Sequence, residues 1–295
     1  MDQFDTFIIG QPSLDINTDY DGRTVREIGG AVVYSGFAAA ALGHKVCVLP
    51  KTNSAEIETV ALFATVKNIK VIPLKSPFST SIENIYHSPD KERRSCRILN
   101  RIEGYQVKDI PDVNAKVYHF AGLMRGDIGN SLIEFAEKKA LVAVDVQCLL
   151  RYVDKTTGEM SFHDWPEKFA ILPKVRFLKT DAAEAEILTG SRCRVEAAKI
   201  LHGWGAAEVM ITHNTEVIVY DGKKIYTEPL KPRNLSGRSG RGDTCFSAYI
   251  TERLSSSAGE ALLTAAALVS LKMEKPGPFA GSRADVETFI KEFYR

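Results

Sequence analysis

The sequence predicts a three-layer α/β fold, in which helices cover both faces of a mainly parallel sheet. Short apolar segments alternate with helical segments along most of the 295 residues, and this alternation is typical of a parallel sheet. Two polar, strand-like regions break the alternation and have no helix beside them, which predicts a small inserted β-sheet. The apolar content of 44% and the charged content of 25% are those of an ordinary globular protein.

Each layer of this fold follows from local patterns. Short apolar runs predict buried strands at 4–9, 46–49, 117–121, 141–146, 175–179 and 208–212. Helical patterns are predicted at 29–42, 128–138, 182–188, 195–202, 243–254, 258–273 and 284–293. Asp221-Gly222, between strand-like segments 216–220 and 224–227, predicts a hairpin with a two-residue turn.

The inserted sheet is predicted from residues 16–28 and 79–102, which we interpret as exposed antiparallel strands. We therefore expect a core of residues 1–15, 28–74 and 104–295 and a β lid of residues 16–27 and 75–103. The charged run 91–94 is expected to be a solvated turn of this lid. Because exposed strand edges can pair with another chain, a homodimer through the lid is possible.

Charge and cysteine content exclude several classes of function. A net charge of +1 gives no field that would attract nucleic acid or an anionic membrane. The first residues are acidic where a signal peptide is basic, and no apolar run reaches the ~18 residues of a membrane span. The five cysteines are scattered without a C-x-x-C pair, which argues against a disulfide framework or a zinc site. We expect a cytoplasmic protein.

The most informative segment, 236–244, has the sequence SGRSGRGDT and runs into a helical pattern. Glycines let backbone N–H groups converge, and a helix N-terminus adds partial positive charge, so Gly240, Arg241 and Gly242 are predicted to form an anion site. Asp243 has two interpretations, a general base for a neighbouring hydroxyl or an N-cap worth ~1 kcal/mol of helix stability. The segment is not a Walker A loop, because no Gly-Lys-Ser/Thr follows its glycines.

These residues resemble the ribokinase-like (phosphofructokinase-B type) carbohydrate kinase family. Residues 240–243 are similar to its G-A-G-D signature, and further matches follow in order along nearly the whole chain. The matching segments are GQPSLD at 10–15, the paired glycines at 29–30, residues 178–190, and AAALVSLKMEKPGP at 265–278. The four matches together are hard to obtain by chance.

The resemblance implies an ATP- and Mg²⁺-dependent kinase that phosphorylates a hydroxyl of a sugar or an inositol-like polyol. Its implied site has a catalytic group of Asp243, Gly240, Arg241 and Gly242; acceptor-binding residues Asp15, Gly30, Tyr34 and Asp145; nucleotide-binding residues Lys179, Thr212, Asn214, Pro276 and Gly277; and metal-organising residues Glu184 and Asp181. The core would bind both substrates, and the lid would exclude water, which competes as acceptor.

Several departures from the family pattern bear on the substrates. Tyr34 replaces a frequent asparagine, and it could stack on or hydrogen-bond an acceptor ring, or simply pack. Arg241 replaces the usual alanine and could contact the phosphates or only form a surface ion pair. Residues 237–239 replace Asp-Thr-Thr, so that the presence of a monovalent-cation site is undecided. Asp181 replaces an asparagine, and residues 214 and 217 replace two glycines on the nucleotide side.

Two further residues and two alternative functions stay open. Asp145 follows a buried strand, where ligands of parallel sheets bind, and it either faces the substrates or orders its loop. Arg151 is close enough in sequence to join the same site. One alternative is a nucleoside kinase of the same family, because Tyr34 could stack on a base. The other is a non-catalytic sugar or nucleotide sensor, against which Asp243 argues because binding alone needs no base.

Overall fold

The computed structural model describes residues 3–88 and 94–295. Its strands, β1 to β17 in chain order, are Phe4–Ile9, Ser13–Thr18, Thr24–Gly29, Val46–Leu49, Lys51–Thr52, Ile69–Val71, Leu74–Lys75, Thr80–Tyr86, Arg94–Asn100, Ala115–Phe120, Leu141–Asp145, Arg151–Val153, Met160–Phe162, Phe177–Asp181, Glu208–Thr212, Glu216–Tyr220 and Ile225–Pro229. Its helices, α1 to α10, are Ala31–Ala41, Thr59–Phe63, Asn130–Glu137, Gln147–Leu150, Lys168–Ile171, Ala182–Thr189, Arg194–Gly203, Arg241–Glu252, Ala258–Met273 and Arg283–Phe293. In these described ranges, no helix is both long and apolar enough to cross a bilayer.

The centre of the fold is a nine-stranded sheet in the order β17-β16-β15-β14-β11-β10-β1-β4-β6. Neighbouring strands are parallel from β6 to β15, and β16 and β17 add an antiparallel edge. Strands β4 and β15 are buried along their whole length, because a parallel sheet with helices on both faces leaves no solvated side.

The helices form a layer on each face of this sheet. Phe177 and Met210 pack on one face in an apolar cluster with residues of α8, α9 and α10. Leu178, which follows Phe177, and Val209, which precedes Met210, pack on the other face with residues of α3, α6 and α7. This alternation is the two-residue period of strands, and the three layers confirm the predicted fold class.

A separate four-stranded sheet has the order β3-β2-β8-β9. Both hairpins are antiparallel as predicted, but β2 and β8, which join them, are parallel. A separate β12–β13 hairpin, which the sequence analysis did not predict, contacts β9 through its connecting loop, since the Ile98 N–H donates to the Gly158 carbonyl at 2.8 Å. Residues 91–93 of the predicted charged turn lie outside the described residues. The lid role and its boundaries stay predictions.

The hairpin predicted at Asp221-Gly222 is confirmed, since β16 and β17 pair in antiparallel orientation, but its predicted two-residue turn is wrong. Tyr220 pairs with Ile225, so the turn comprises the four residues 221–224. The Asp221 carboxylate explains the longer turn, because its Oδ1 accepts hydrogen bonds from the N–H groups of Lys223 at 2.9 Å and Lys224 at 2.7 Å. An aspartate that bonds to backbone two and three residues on stabilises such a turn by itself.

Candidate functional site

The candidate site lies at the edge of the central sheet where parallel strands end. Asp145 ends β11, Asp181 ends β14 and Thr212 ends β15, and these three strands are neighbours. Helix α8 begins at the same edge. A Cβ added to Gly242 would lie 3.1 Å from the Lys179 Nζ and 4.0 Å from the Thr212 Oγ1. The sheet therefore brings the glycine segment to the predicted polar residues of β14 and β15.

The glycine segment, residues 236–242, turns sharply into α8 at Gly240, and residues 237–242 are called the glycine turn below. This residue is the N-cap with φ of +73°, a left-handed conformation that favours glycine. A side chain there would also overlap the ring of Tyr34. Because the first N–H groups of a helix have no acceptor within the helix, the amides of Gly242 and Asp243 can bind an anion.

The N-cap interpretation of Asp243 is wrong. The helix begins at Arg241, two residues before the predicted start at 243, so Asp243 is its third residue and Gly240 occupies the cap position. The cap makes no side-chain hydrogen bond, and the carboxylate of Asp243 is left to interact with groups of the sheet edge. The interpretation as a general base remains a prediction.

The charges around Asp243 set its proton affinity. Burial raises its pKa to about 6, and the negative charge of Asp145 acts in the same direction. The cations Lys179, Arg151 and Lys272 oppose this rise. A carboxylate with a pKa of about 6 is unprotonated at pH 7 and is still a better proton acceptor than an ordinary aspartate.

Lys179 and Asp145 form a buried ion pair beneath the glycine turn. The Lys179 Nζ lies 2.9 Å from the Asp145 Oδ2, and the other oxygen, Oδ1, accepts from the Gln147 N–H at 3.0 Å. Asp145 thus orders its loop and also compensates the positive charge of the site lysine. Burial alone would lower the pKa of Lys179, but the surrounding carboxylates, Asp145 foremost, raise it above its ordinary value. The lysine stays charged.

Asp181 and Glu184 cap helix α6 reciprocally. The Asp181 N–H donates to the Glu184 Oε2 and the Glu184 N–H to the Asp181 Oδ1, both at 2.8 Å. Burial raises the pKa of Glu184 to about 8, against the effect of Lys179. One oxygen of each carboxylate lies outside the capping bonds. Such a pair fits Mg²⁺, which takes one or two carboxylates and completes its shell with phosphate and water. In the described residues, no three His, Cys, Asp or Glu side chains cluster into a metal site of their own.

Asp15 and Gln11 have buried oxygens available on the predicted acceptor side. Within the described residues, neither the Asp15 Oδ1 nor the Gln11 Oε1 has a hydrogen-bond partner, and burial raises the pKa of Asp15. Gly30 joins them, because it has φ of +101° and a Cβ there would lie 2.5 Å from the Gln11 carbonyl. Buried polar atoms without partners are costly, so the hydroxyls of a ligand would satisfy them. Gln11 was not predicted.

Tyr34 connects the predicted acceptor side to the glycine turn. Its ring packs against Gly240. Burial, followed by the carboxylates of Asp15 and Asp243, raises its pKa above the ordinary value. Packing against the turn is therefore one role of Tyr34, and contact with an acceptor remains a prediction.

Three predicted nucleotide-binding residues lie on loops outside the buried cluster. Asn214 follows β15 and is exposed, and Pro276 is exposed in the loop after α9. Gly277 in the same loop has φ of +81°. Pro276 adjoins the glycine segment, because a Cβ added to Gly237 would lie 2.8 Å from its backbone nitrogen. The nucleotide-binding role of the three residues stays a prediction.

Two further cations of the site are Lys272, which was not predicted, and Arg151, which was left open. The Lys272 side chain reaches the glycine turn from α9, and a lysine within the apolar run 265–273 was the available signal. Arg151 donates to the Gln147 Oε1 at 2.7 Å. His119 is buried with its ring edge-on to Phe246 at 5.1 Å, and burial lowers its pKa to about 3.

Known proteins similar to this chain are kinases. No family model matches the sequence. A cytidine kinase of Thermococcus kodakarensis (strain ATCC BAA-918 / JCM 12380 / KOD1) is 25% identical over 255 residues, which cover 83% of this chain and 87% of that protein. The sulfate complex of a pyrophosphate-dependent kinase in the ribokinase family is 31% identical with a TM-score of 0.87, covering 96% of this chain and 99% of that one. A pyrophosphate-dependent kinase of that family complexed with a pyrophosphate analog and myo-inositol is 30% identical with a TM-score of 0.86 and the same coverage.

Proposed function

The chain belongs to the ribokinase family and is a phosphotransferase that acts on a hydroxyl group, and we propose that its acceptor is a small cyclic polyol or sugar. The observation that carries the chemistry of transfer is the Asp243 carboxylate in the first turn of α8, beside the first amides of that helix and a buried lysine. Phosphoryl transfer depends on a base, an anion site and cations held in fixed positions, and these residues supply all three.

In the proposed reaction, the acceptor hydroxyl lies between Asp15 and Asp243. The Asp243 carboxylate takes the hydroxyl proton while the hydroxyl oxygen forms a bond to the terminal phosphorus of the donor. The bond from that phosphorus to the bridging oxygen breaks, and its electrons leave with the departing phosphate. The amides of Gly242 and Asp243, with Lys179, stabilise the charge on the migrating group.

Asp181 and Glu184 are the residues that we propose to hold magnesium. The ion would neutralise charge on the donor phosphates when bound. The raised pKa of Glu184, about 8, supports this role, because a divalent cation compensates the negative charge that burial disfavours. Arg241, the first residue of α8, adds a further cation for the phosphates.

For the donor, inorganic pyrophosphate is our first candidate and ATP the second. Pyrophosphate is favoured by the two pyrophosphate-dependent kinases at 31% and 30% identity. Three cations, Lys179, Arg151 and Arg241, offer positive charge for phosphates, and this interaction needs no contact with a nucleobase. ATP is the donor that the family signature implies, with Thr212, Asn214 and the loop at 276–277 on the nucleotide side.

For the acceptor, a myo-inositol-like polyol is our first candidate and a nucleoside the second. A polyol would satisfy the buried oxygens of Asp15 and Gln11, which lack partners within the described residues. The similarity to a cytidine kinase and the aromatic ring of Tyr34 favour the nucleoside. The partners in this proposal are therefore two small molecules, an acceptor and a phosphoanhydride donor.

A matrix of donors and acceptors tests the proposal. Purified protein with Mg²⁺ is given pyrophosphate or ATP together with myo-inositol, ribose, fructose or cytidine, and phosphorylated product is followed by ³¹P NMR. We expect product from myo-inositol with pyrophosphate as the better donor. Turnover confined to cytidine would overturn the proposed polyol acceptor, and turnover confined to ATP would overturn pyrophosphate as the proposed donor. Tight acceptor binding without turnover would favour the alternative of a non-catalytic sensor.

A further inference from the structure

Lys272 is a buried cation directly behind the glycine turn. It lies in the last turn of α9 and is only 2% exposed. Its Nζ donates hydrogen bonds to the carbonyl oxygens of Gly237, at 2.7 Å, and of Ser239. The same ammonium lies 5.0 Å from the centroid of the Tyr34 ring, which packs against Gly240. One side chain therefore contacts two carbonyls of the turn and the ring that supports it.

The carbonyls that Lys272 binds belong to the segment leading into the anion-binding amides. This segment is also fixed to the end of α9, since the Gly237 N–H donates to the Met273 carbonyl at 2.7 Å. In a planar trans peptide the N–H and C=O groups point in opposite directions. The Gly237 and Ser239 carbonyls that bind the ammonium belong to the peptide groups that carry the N–H groups of Arg238 and Gly240. The ammonium therefore fixes the orientation of two peptides of the turn that precede the amides of α8.

We propose that the Lys272 ammonium serves as a built-in monovalent cation, which holds the carbonyls of Gly237 and Ser239 so that transfer needs no added potassium or ammonium ion. Potassium ions in proteins are bound by carbonyl oxygens, and a lysine ammonium offers the same charge with three donors. The inference rests on the proposed function, because it concerns the same anion site. It also accounts for residues 237–239, which replace the Asp-Thr-Thr of the family pattern without a carboxylate.

The charge state of Lys272 is compatible with this role. Burial lowers its pKa to about 8, and the negative charges of Asp243 and Glu27 oppose the shift. The side chain is therefore mostly protonated at pH 7. Lys272 in turn lowers the pKa of Asp243, after the larger effects of burial, Asp145, Lys179 and Arg151. Lys272 is a positioning residue, since its hydrogen bonds are to the turn.

The first test uses the unaltered protein. Its rate with the best donor and acceptor is measured in potassium, sodium and tetramethylammonium chloride at equal ionic strength. We expect the three rates to agree within about twofold, because the cation site is internal. Stimulation by potassium of about fivefold or more over tetramethylammonium would overturn the inference while leaving the kinase proposal intact.

The second test compares two variants that remove the charge differently. Lys272→Ala opens space beside the two carbonyls, whereas Lys272→Met fills it with an uncharged chain. We expect kcat to fall about 10- to 100-fold in both, and we expect potassium or methylammonium to restore kcat at least partly only in Lys272→Ala. The exposed Lys275→Ala is the matched control with no expected effect. A folded Lys272→Ala that no cation restores would contradict the inference.

A third measurement needs no turnover. The melting temperature of Lys272→Ala should rise in potassium relative to tetramethylammonium chloride, whereas that of the unaltered protein should not. If the unaltered protein has no activity with any substrate pair, the proposed function fails, and these melting temperatures still decide the cation question. If neither variant folds, the salt series on the unaltered protein decides it alone.

Discussion

At the scale of residues, the site is a balance of opposed charges at one sheet edge. Asp145, Asp181, Glu184 and Asp243 surround Lys179, and each carboxylate raises the pKa of that lysine. Burial raises the pKa values of Glu184 and Asp243 to about 8 and about 6. A residue type alone could suggest these roles, but only the folded arrangement of strands and α8 fixes the charge that each side chain feels.

The first prediction concerns the lysine beneath the turn. In Lys179→Met, the pKa of Asp243 should rise, because the ammonium that lowers it is removed. A general base is active when unprotonated, so the acidic limb of kcat/KM against pH should move to higher pH, by about one pH unit. The pH profile measured from 5 to 9 shows this shift whatever the loss in absolute rate. Lys223→Met, in the distant hairpin turn, should leave the limb where it is, and an unmoved limb in Lys179→Met would contradict the assigned interaction.

At the scale of elements, much of the fold was predictable and the failures have local causes. Helix α9 was predicted from its long apolar pattern with its observed bounds, and the structure adds a capping box of Ser257 and Glu260 at its start. The start of α8 was placed too late because its cap is a left-handed glycine, which carries no side-chain signal. Strands β12 and β13 comprise three residues each, which is too few to show the two-residue alternation by which a strand is predicted.

The second prediction concerns the glycine that begins α8. Gly240→Ala should lower the free energy of unfolding by about 3 kcal/mol, since it forces an alanine into a left-handed conformation and against the Tyr34 ring. Gly43→Ala is the matched control, because Gly43 has φ of +87° with nothing within 4 Å of an added Cβ. That variant should lose only about 1 kcal/mol. Urea unfolding of the two variants measures the difference, and equal losses would show that Tyr34 does not fill the space behind the turn.

At the scale of the whole molecule, the sheet determines where chemistry can occur. The sequence predicts that strands and helices alternate, but it does not predict the order of β10, β11, β14 and β15 within the sheet. The position of α8 over the ends of β14 and β15 likewise depends on tertiary packing. The predicted acceptor side is divided between α1, the start of the four-stranded sheet and the core. The homodimer through that sheet stays a prediction, consistent with Val25, Ile85 and Leu99 being 40–42% exposed on its strands.

The account as a whole requires a carboxylate that removes a proton while the rest of the site only binds. Asp243→Asn preserves the shape of the side chain and removes its basicity. The direct measurement is kcat together with acceptor affinity by calorimetry, with the exposed Asp112→Asn as a control for the substitution itself. We predict a fall in kcat of about 10²- to 10⁴-fold with the acceptor dissociation constant changed by less than about threefold. A folded Asp243→Asn protein that keeps the kcat of the control would contradict the account.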